Sequence, residues 1–231
     1  MTARTIVIAT PHTRNDKLEA DVRSRLPGTR IVRLRERNEL TAEVLAALQP
    51  RWLFFPHWSW IVPPEIFMDF ECVIFHMTDL PYGRGGSPLQ NLIVEGKTET
   101  VVSALRCEGE LDAGPVYLRR PLSLEGSAED ILQRASDIIA HMIVDIVERE
   151  PTPVPQVGEA VVFKRRTPAD GDLRNASGLQ QVYDFIRMLD ADGYPHAFIE
   201  VDGLRLTFDR AVLKEGAVEA RVHITTMPNE R

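Results

Sequence analysis

Short β-branched and aromatic runs alternate with helical stretches through the first part of this chain, and that alternation limits the fold more than any other feature. Thr5-Ile6-Val7-Ile8-Ala9 opens the pattern, and a polar turn and a helical stretch over about residues 16–26 follow it. Arg30 to Leu34 reads as the next strand, a helix begins near Thr41, and Trp52-Leu53-Phe54-Phe55 and Val73-Ile74-Phe75-His76 are further apolar strands. Strand–helix repeats of this kind build a mainly parallel sheet with helices on both faces, because a parallel crossover needs a helix and the strands are then buried on both sides. The predicted class is therefore α/β and Rossmann-like.

The remaining elements follow from punctuation. Leu89 to Glu95 reads as a helix, and Thr100 to Cys107 and Pro115 to Leu118 read as strands. Ser127-Ala128-Glu129-Asp130 has the form of a capping box. Beyond it Ile131, Ala135, Ile139, Met142, Ile143 and Ile146 recur at helical spacing, so a long helix with a broad apolar face is expected. Pro151-Thr152-Pro153-Val154-Pro155 stops that helix and reads as a linker. The expected domains are residues 1–150, a proline-rich linker and connecting strand over 151–166, and a small α+β C-terminal subdomain over 167–231. In that subdomain a helix over 179–189 precedes strands at Ala197 to Val201 and Leu204 to Phe208, joined at Asp202-Gly203, with a last strand over 218–225.

Bulk properties exclude several functions. At 231 residues the chain is long enough for one sizeable core and a small appendage, and its formal net charge of −7 gives no general attraction to nucleic acid or to an anionic membrane. Cys72 and Cys107 lie in two predicted strands without metal-ligand spacing, so they read as reduced core thiols, and no metal is expected. No apolar run reads as a signal peptide or a membrane span, which makes the cytoplasm the expected location.

The stretch most suggestive of chemistry runs from Phe75 to Gly114. His76 leaves an apolar strand and enters the loop Met77-Thr78-Asp79-Leu80-Pro81-Tyr82-Gly83-Arg84-Gly85-Gly86-Ser87-Pro88, and an aspartate follows in Glu110-Leu111-Asp112-Ala113-Gly114. A buried strand that ends in His and breaks into Pro and Gly puts an imidazole at the mouth of a sheet, where open α/β folds keep their ligand crevices. The arrangement resembles the folate-dependent formyltransferase family, whose catalytic segment reads Asn-x-His-x-Ser-Leu-Leu-Pro-x-x-Arg-Gly and is followed by Leu-Asp-x-Gly. His76, Leu80, Pro81, Arg84 and Gly85 fall at the family offsets, and Leu111-Asp112-Ala113-Gly114 matches the second element. Lys164-Arg165-Arg166-Thr167-Pro168-Ala169-Asp170-Gly171 resembles the Arg-x-Pro-x-Asp-Gly segment after the catalytic domain of sugar-nucleotide members, and the tail resembles the opening of the family's barrel-like C-terminal domain.

The resemblance implies 10-formyltetrahydrofolate as co-substrate and His76 and Asp112 as catalytic residues. It also implies that Arg84-Gly85-Gly86-Ser87 forms a mobile loop over the site, with Arg84 near the acceptor. The acceptor expected first is a primary amine of a small, possibly nucleotide-linked compound such as an amino sugar, and methionyl-tRNA is the alternative. Each residue also has a plainer reading: His76 as a strand-end histidine satisfied by backbone, Asp112 as a turn aspartate, and Arg84 as a surface cation. One departure stands out, for Ile74 occupies the position of the family asparagine and has no hydrogen bond to offer. His57-Trp58-Ser59-Trp60, in the loop after the preceding strand, is the expected compensation: His57 or Ser59 in place of the missing amide, Trp58 or Trp60 as a stacking surface. The same departure keeps two further readings open, a catalytically impaired ligand-binding relative and a 10-formyltetrahydrofolate hydrolase.

Overall fold

In the computed structural model, which describes residues 4–227, the chain runs through β1 (Thr5–Ala9), α1 (Asp16–Arg25), β2 (Arg30–Leu34), α2 (Ala42–Leu48), β3 (Trp52–Phe55), α3 (Pro64–Phe67), β4 (Cys72–His76), β5 (Tyr82–Gly85), α4 (Pro88–Val94), β6 (Glu99–Arg106), β7 (Val116–Ser123), α5 (Ala128–Arg149), β8 (Val161–Phe163), α6 (Leu179–Arg187), β9 (Ala197–Val201), β10 (Leu204–Lys214) and β11 (Ala217–Thr226). The backbone packs as two compact units. Residues 4–85, 100–122 and 133–162 form the first, and residues 86–99, 123–132 and 163–227 form the second.

The first unit is organised by a six-stranded sheet of order β2-β1-β3-β4-β6-β7. Pairing is parallel from β2 through β4, and β6 joins β4 antiparallel, so the sheet is mixed but mainly parallel as the alternation required. Its central strands are buried except at Ile74: Ile6, Val7, Ile8, Leu53, Phe54 and Val73 are fully enclosed. Alternate residues face opposite ways. Val7, Ala9, Leu53, Phe55 and Cys72 share one apolar cluster with Leu45 of α2 and Ile66 of α3, while Trp52, Phe54 and Phe75 stack along the other face. Asn15, fully buried, joins three segments: its amide donates to Thr10 Oγ1 at 2.6 Å and its oxygen accepts from Ser136 Oγ of α5 at 2.7 Å.

The capping box at α5 is present in both directions, Asp130 N–H to Ser127 Oγ and Ser127 N–H to Asp130 Oδ2, and the apolar face that the spacing predicted is buried. Several elements differ from the sequence reading. The strand expected at Pro115 to Leu118 extends to Ser123, β10 runs on to Lys214, and α3 was not foreseen in a segment that contains two prolines. The largest difference concerns the glycine loop. Tyr82 to Gly85 form β5, which pairs with β8, and Val161 N–H donates to the Pro81 carbonyl. Gly83 and Gly85 take positive φ there, a conformation that other residues enter only at a cost.

In the second unit the expected strands form an antiparallel sheet β9-β10-β11. Asp202 and Gly203 both have positive φ, as a two-residue hairpin turn matched to strand twist requires. The last residue of α6 is a buried cation: Arg187 donates to the carbonyls of Leu124 and Gly126 at 2.6 and 3.1 Å and to Asp184 Oδ1 at 2.6 Å. Removing a guanidinium of this kind strands a buried carboxylate and two carbonyls. Arg187→Ala is expected to destabilise this unit by roughly 3–5 kcal/mol, read as a lowered urea midpoint for residues 163–227 by hydrogen exchange, whereas Arg205→Ala on the surface should cost about 1 kcal/mol or less.

Candidate functional site

The β4–β6 ladder determines where the site lies. Ile74 pairs with Leu105 and His76 with Ser103, so Cys72, Ile74 and His76 project from one face of the sheet beside Ser103 and Leu105. Ser103 Oγ donates to the Thr78 carbonyl at 2.7 Å, which holds the chain as it leaves β4. Arg119 reinforces the turn, donating to the Leu80 carbonyl at 2.8 Å and pairing with Asp79 at 2.9 Å.

His76 is buried. Its Nε2 lies 2.7 Å from the Gly83 carbonyl oxygen, which can only accept, so Nε2 carries the proton and Nδ1 is the nitrogen turned elsewhere. Nδ1 faces Asp112 Oδ2 at 3.6 Å, and both side chains are more than nine-tenths buried. Asp112 itself sits at φ 52°. Its Oδ2 accepts from Gly85 N–H at 2.9 Å. The turn that carries it is narrow, since a Cβ on Gly114 would collide with the Arg106 carbonyl.

A residue that sequence reasoning missed completes this arrangement. Gln156 Nε2 donates to the carbonyls of Asp112 and Gly114, each at 2.8 Å, while Gln156 Oε1 accepts from Arg84 Nε at 3.1 Å and Nη2 at 2.8 Å. Arg84 also reaches Glu110 at 3.1 Å. Arg84 and Gly85 are therefore held in a paired strand that buttresses the Asp112 turn, which differs from the mobile loop expected from the resemblance. Gln156 lies in the proline-rich stretch, where sequence gives no sign of a polar anchor.

The compensating cluster is placed differently from expectation. Parallel pairing of Phe55 with Ile74 brings the chain after β3 beside β4, yet the His57 ring is directed to Asn15, with Nδ1 3.5 Å from its Nδ2. No hydrogen bond joins His57 or Ser59 to His76 or Asp112 among the described residues, and Ser59 is exposed. His57 has φ 53°, and its Nε2 is sealed from solvent without a partner. Burial, with Arg14 and His12 nearby, lowers its pKa to about 3. Trp58 packs edge-on against Phe55 and Trp60, and its Nε1 is also buried without a partner. Ile74 packs against Leu80, Leu105 and Val116 and against the cluster that Trp58 covers, but it is only half-buried. An accessible isoleucine in a central strand leaves an apolar wall beside the His76–Asp112 pair.

The residues 168–225 match the family model "Methionyl-tRNA formyltransferase, C-terminal domain". A solved structure described as methionyl-tRNA formyltransferase from Clostridium thermocellum is 44% identical, superposes with a TM-score of 0.94, and is covered over 99% of its chain by 96% of this one. The chain belongs to the folate-dependent formyltransferase family. The methionyl-tRNA formyltransferase of Gluconobacter oxydans is 31% identical over 163 residues, which are 68% of this chain and 51% of that protein, so the chain spans about half the length of this relative. A more distant structure, HypX from Aquifex aeolicus in complex with tetrahydrofolic acid, shares the fold at 17% identity and a TM-score of 0.73, over 91% of this chain and 38% of that one. Among the described residues of this formyltransferase-family chain, no helix is long and apolar enough to cross a membrane.

The buried neutral imidazole of His57 makes a testable contribution to stability. Its folded pKa lies below the ordinary value near 6.5, so the unfolded chain binds the proton first as pH falls. The cost is absent above about pH 6.5 and accumulates down to about pH 3, at about 1.4 kcal/mol per pH unit at most. Urea unfolding across this range should show His57→Gln losing less stability on acidification than the parent chain.

Proposed function

We propose that this chain transfers a formyl group from 10-formyltetrahydrofolate to a primary amine, and that the amine is the amino group of methionyl-tRNA. The observation that carries the reading is the buried His76–Asp112 pair at the family positions, 3.6 Å apart and anchored by Gly83 and Gly85. The names of the relatives move methionyl-tRNA ahead of the small amine that the sequence put first. The formal charge of −7 favours the small amine as the second reading, since few phosphates could be neutralised.

The side chains fit a folate donor. Ile74, half-buried over the enclosed Leu80, Leu105 and Val116, offers an apolar surface, and the unpartnered indole N–H of Trp58 is a buried donor. The donor supplies the formyl group, and the chain's own residues manage charge and protons. As the amine adds to the formyl carbon, negative charge gathers on the formyl oxygen and the amine nitrogen must lose a proton. With Nε2–H committed to the Gly83 carbonyl, His76 serves the developing oxyanion through Nδ1–H, in the doubly protonated ring that Asp112 stabilises. Asp112, opposite Nδ1, steadies the charge on the ring and takes part in moving the amine proton to the departing folate nitrogen. A gap of 3.6 Å is of the kind that catalytic pairs close when substrate binds. Ile74 contributes packing alone, so the oxyanion depends on His76 more heavily than it would beside an asparagine.

His76→Ala and Asp112→Asn are each expected to lower kcat/KM for formyl transfer by about 100-fold or more, with circular dichroism unchanged. Transfer to methionyl-tRNA should fall steeply as salt rises. Salt-insensitive formylation of an amino sugar, with none of methionyl-tRNA, would establish the second reading. Release of formate without any acceptor would identify a hydrolase, and donor binding without turnover an impaired relative.

A further inference from the structure

Cys72 and Cys107, far apart in sequence, are brought face to face by the β4–β6 ladder. The register that pairs Val73 with Arg106 places these two residues opposite one another when continued by one position, and Cys107 N–H donates to the Cys72 carbonyl at 2.8 Å. Directly opposed residues of antiparallel strands project to the same face, and a hydrogen-bonded pair such as this has its α-carbons about 5.5 Å apart. That separation falls within the span of about 4.4–6.8 Å that a disulfide bridges. Both side chains belong to one apolar cluster, and both are free thiols.

We propose that Cys72 and Cys107 form an oxidation site that closes to a cross-strand disulfide in the folded chain when it meets a low-molecular-weight disulfide. The thiol of Cys107 attacks first, displacing one thiol from the small disulfide and leaving a mixed disulfide on Cys107. The thiol of Cys72 then attacks the Cys107 sulfur, and the second small thiol leaves. Both cysteine protons go to the departing thiols, so the protein pair is oxidised by two electrons and one small disulfide is reduced to two thiols. The order follows from access. Cys107 lies just past the end of β6 and is 7% exposed, whereas Cys72, the first residue of β4, is 1% exposed. Burial and the nearby Asp112 and Glu108 carboxylates push the Cys107 thiol up to about 11, and burial pushes Cys72 higher still. Thiolate is therefore scarce, and the first step waits on brief fraying of the chain between Arg106 and the Asp112 turn.

The site adjoins the chemistry. Cys72 lies on the same face of β4 as Ile74 and His76, and Cys107 leads directly into the turn that carries Asp112. A bond between the sulfurs would fix the two segments that deliver the His76–Asp112 pair, so it would limit how far Asp112 can approach His76.

The test uses the full chain, fully reduced and folded, incubated overnight in buffer with oxidised glutathione and followed by intact mass and peptide mapping. The expected product has lost two hydrogens, carries a Cys72–Cys107 link, and returns to the starting mass with dithiothreitol. Cys72→Ala should instead stop at a glutathione adduct on Cys107. The proposal is overturned if the folded parent chain keeps both thiols, if it stops at an adduct, or if the link appears only after urea is added. None of these readouts depends on formyl transfer.

Discussion

The antiparallel seam between β4 and β6 is the constraint from which the rest of the site follows. A parallel neighbour at this position would need a crossover helix before the chain could return. The antiparallel strand lets the chain reverse within a few residues after Cys107 and lay Asp112 back towards the face that carries His76. The same seam sets Leu105 against Ile74 and Ser103 against His76, so one register decides the apolar wall, the anchor of the loop after β4, and the proximity of acid and base. A slip of one residue would send every one of these side chains to the opposite face.

Holding a buried imidazole against a buried carboxylate requires surroundings that leave neither group unsatisfied. Here the surroundings are mostly backbone: the Gly83 carbonyl for His76, the Gly85 N–H for Asp112, and the Asp112 and Gly114 carbonyls for Gln156. Gly83 and Gly85 take positive φ, and a Cβ on Gly114 would meet the Arg106 carbonyl, so the Leu-Pro-x-x-Arg-Gly pattern is in physical terms a way of bringing main-chain groups to two ionisable ones. Arg84, the charged member of that pattern, is spent on Gln156 and Glu110 within this chain.

What could be read from sequence is what depends on local periodicity and punctuation. The strands at residues 5–9, 30–34 and 52–55, the capping box at Ser127 and the turn at Asp202-Gly203 are signalled by neighbours a few residues away. His76 and Asp112 were legible because motif spacing fixes the residue types. The β5–β8 pairing, the role of Gln156 and the opposition of Cys72 to Cys107 depend on register between distant segments, and no local pattern encodes that. His57 shows the limit from the other side. Its unusual composition was visible, but its left-handed backbone and its contact with Asn15 turn the ring towards β1, a direction that adjacency to β4 alone does not give.

Chain order and packing order also diverge. Residues 86–99 and 123–132 belong with the C-terminal segment, while residues 151–162, including Gln156, belong with the sheet. A scission at the prolines after residue 150 would therefore yield neither half intact. The N-terminal fragment would lose the prop beneath Asp112, and the C-terminal fragment would lack two of the three stretches that complete its unit. For this fold the apparent linker is a suture, and modular exchange of the tail between relatives would have to carry those interleaved stretches with it.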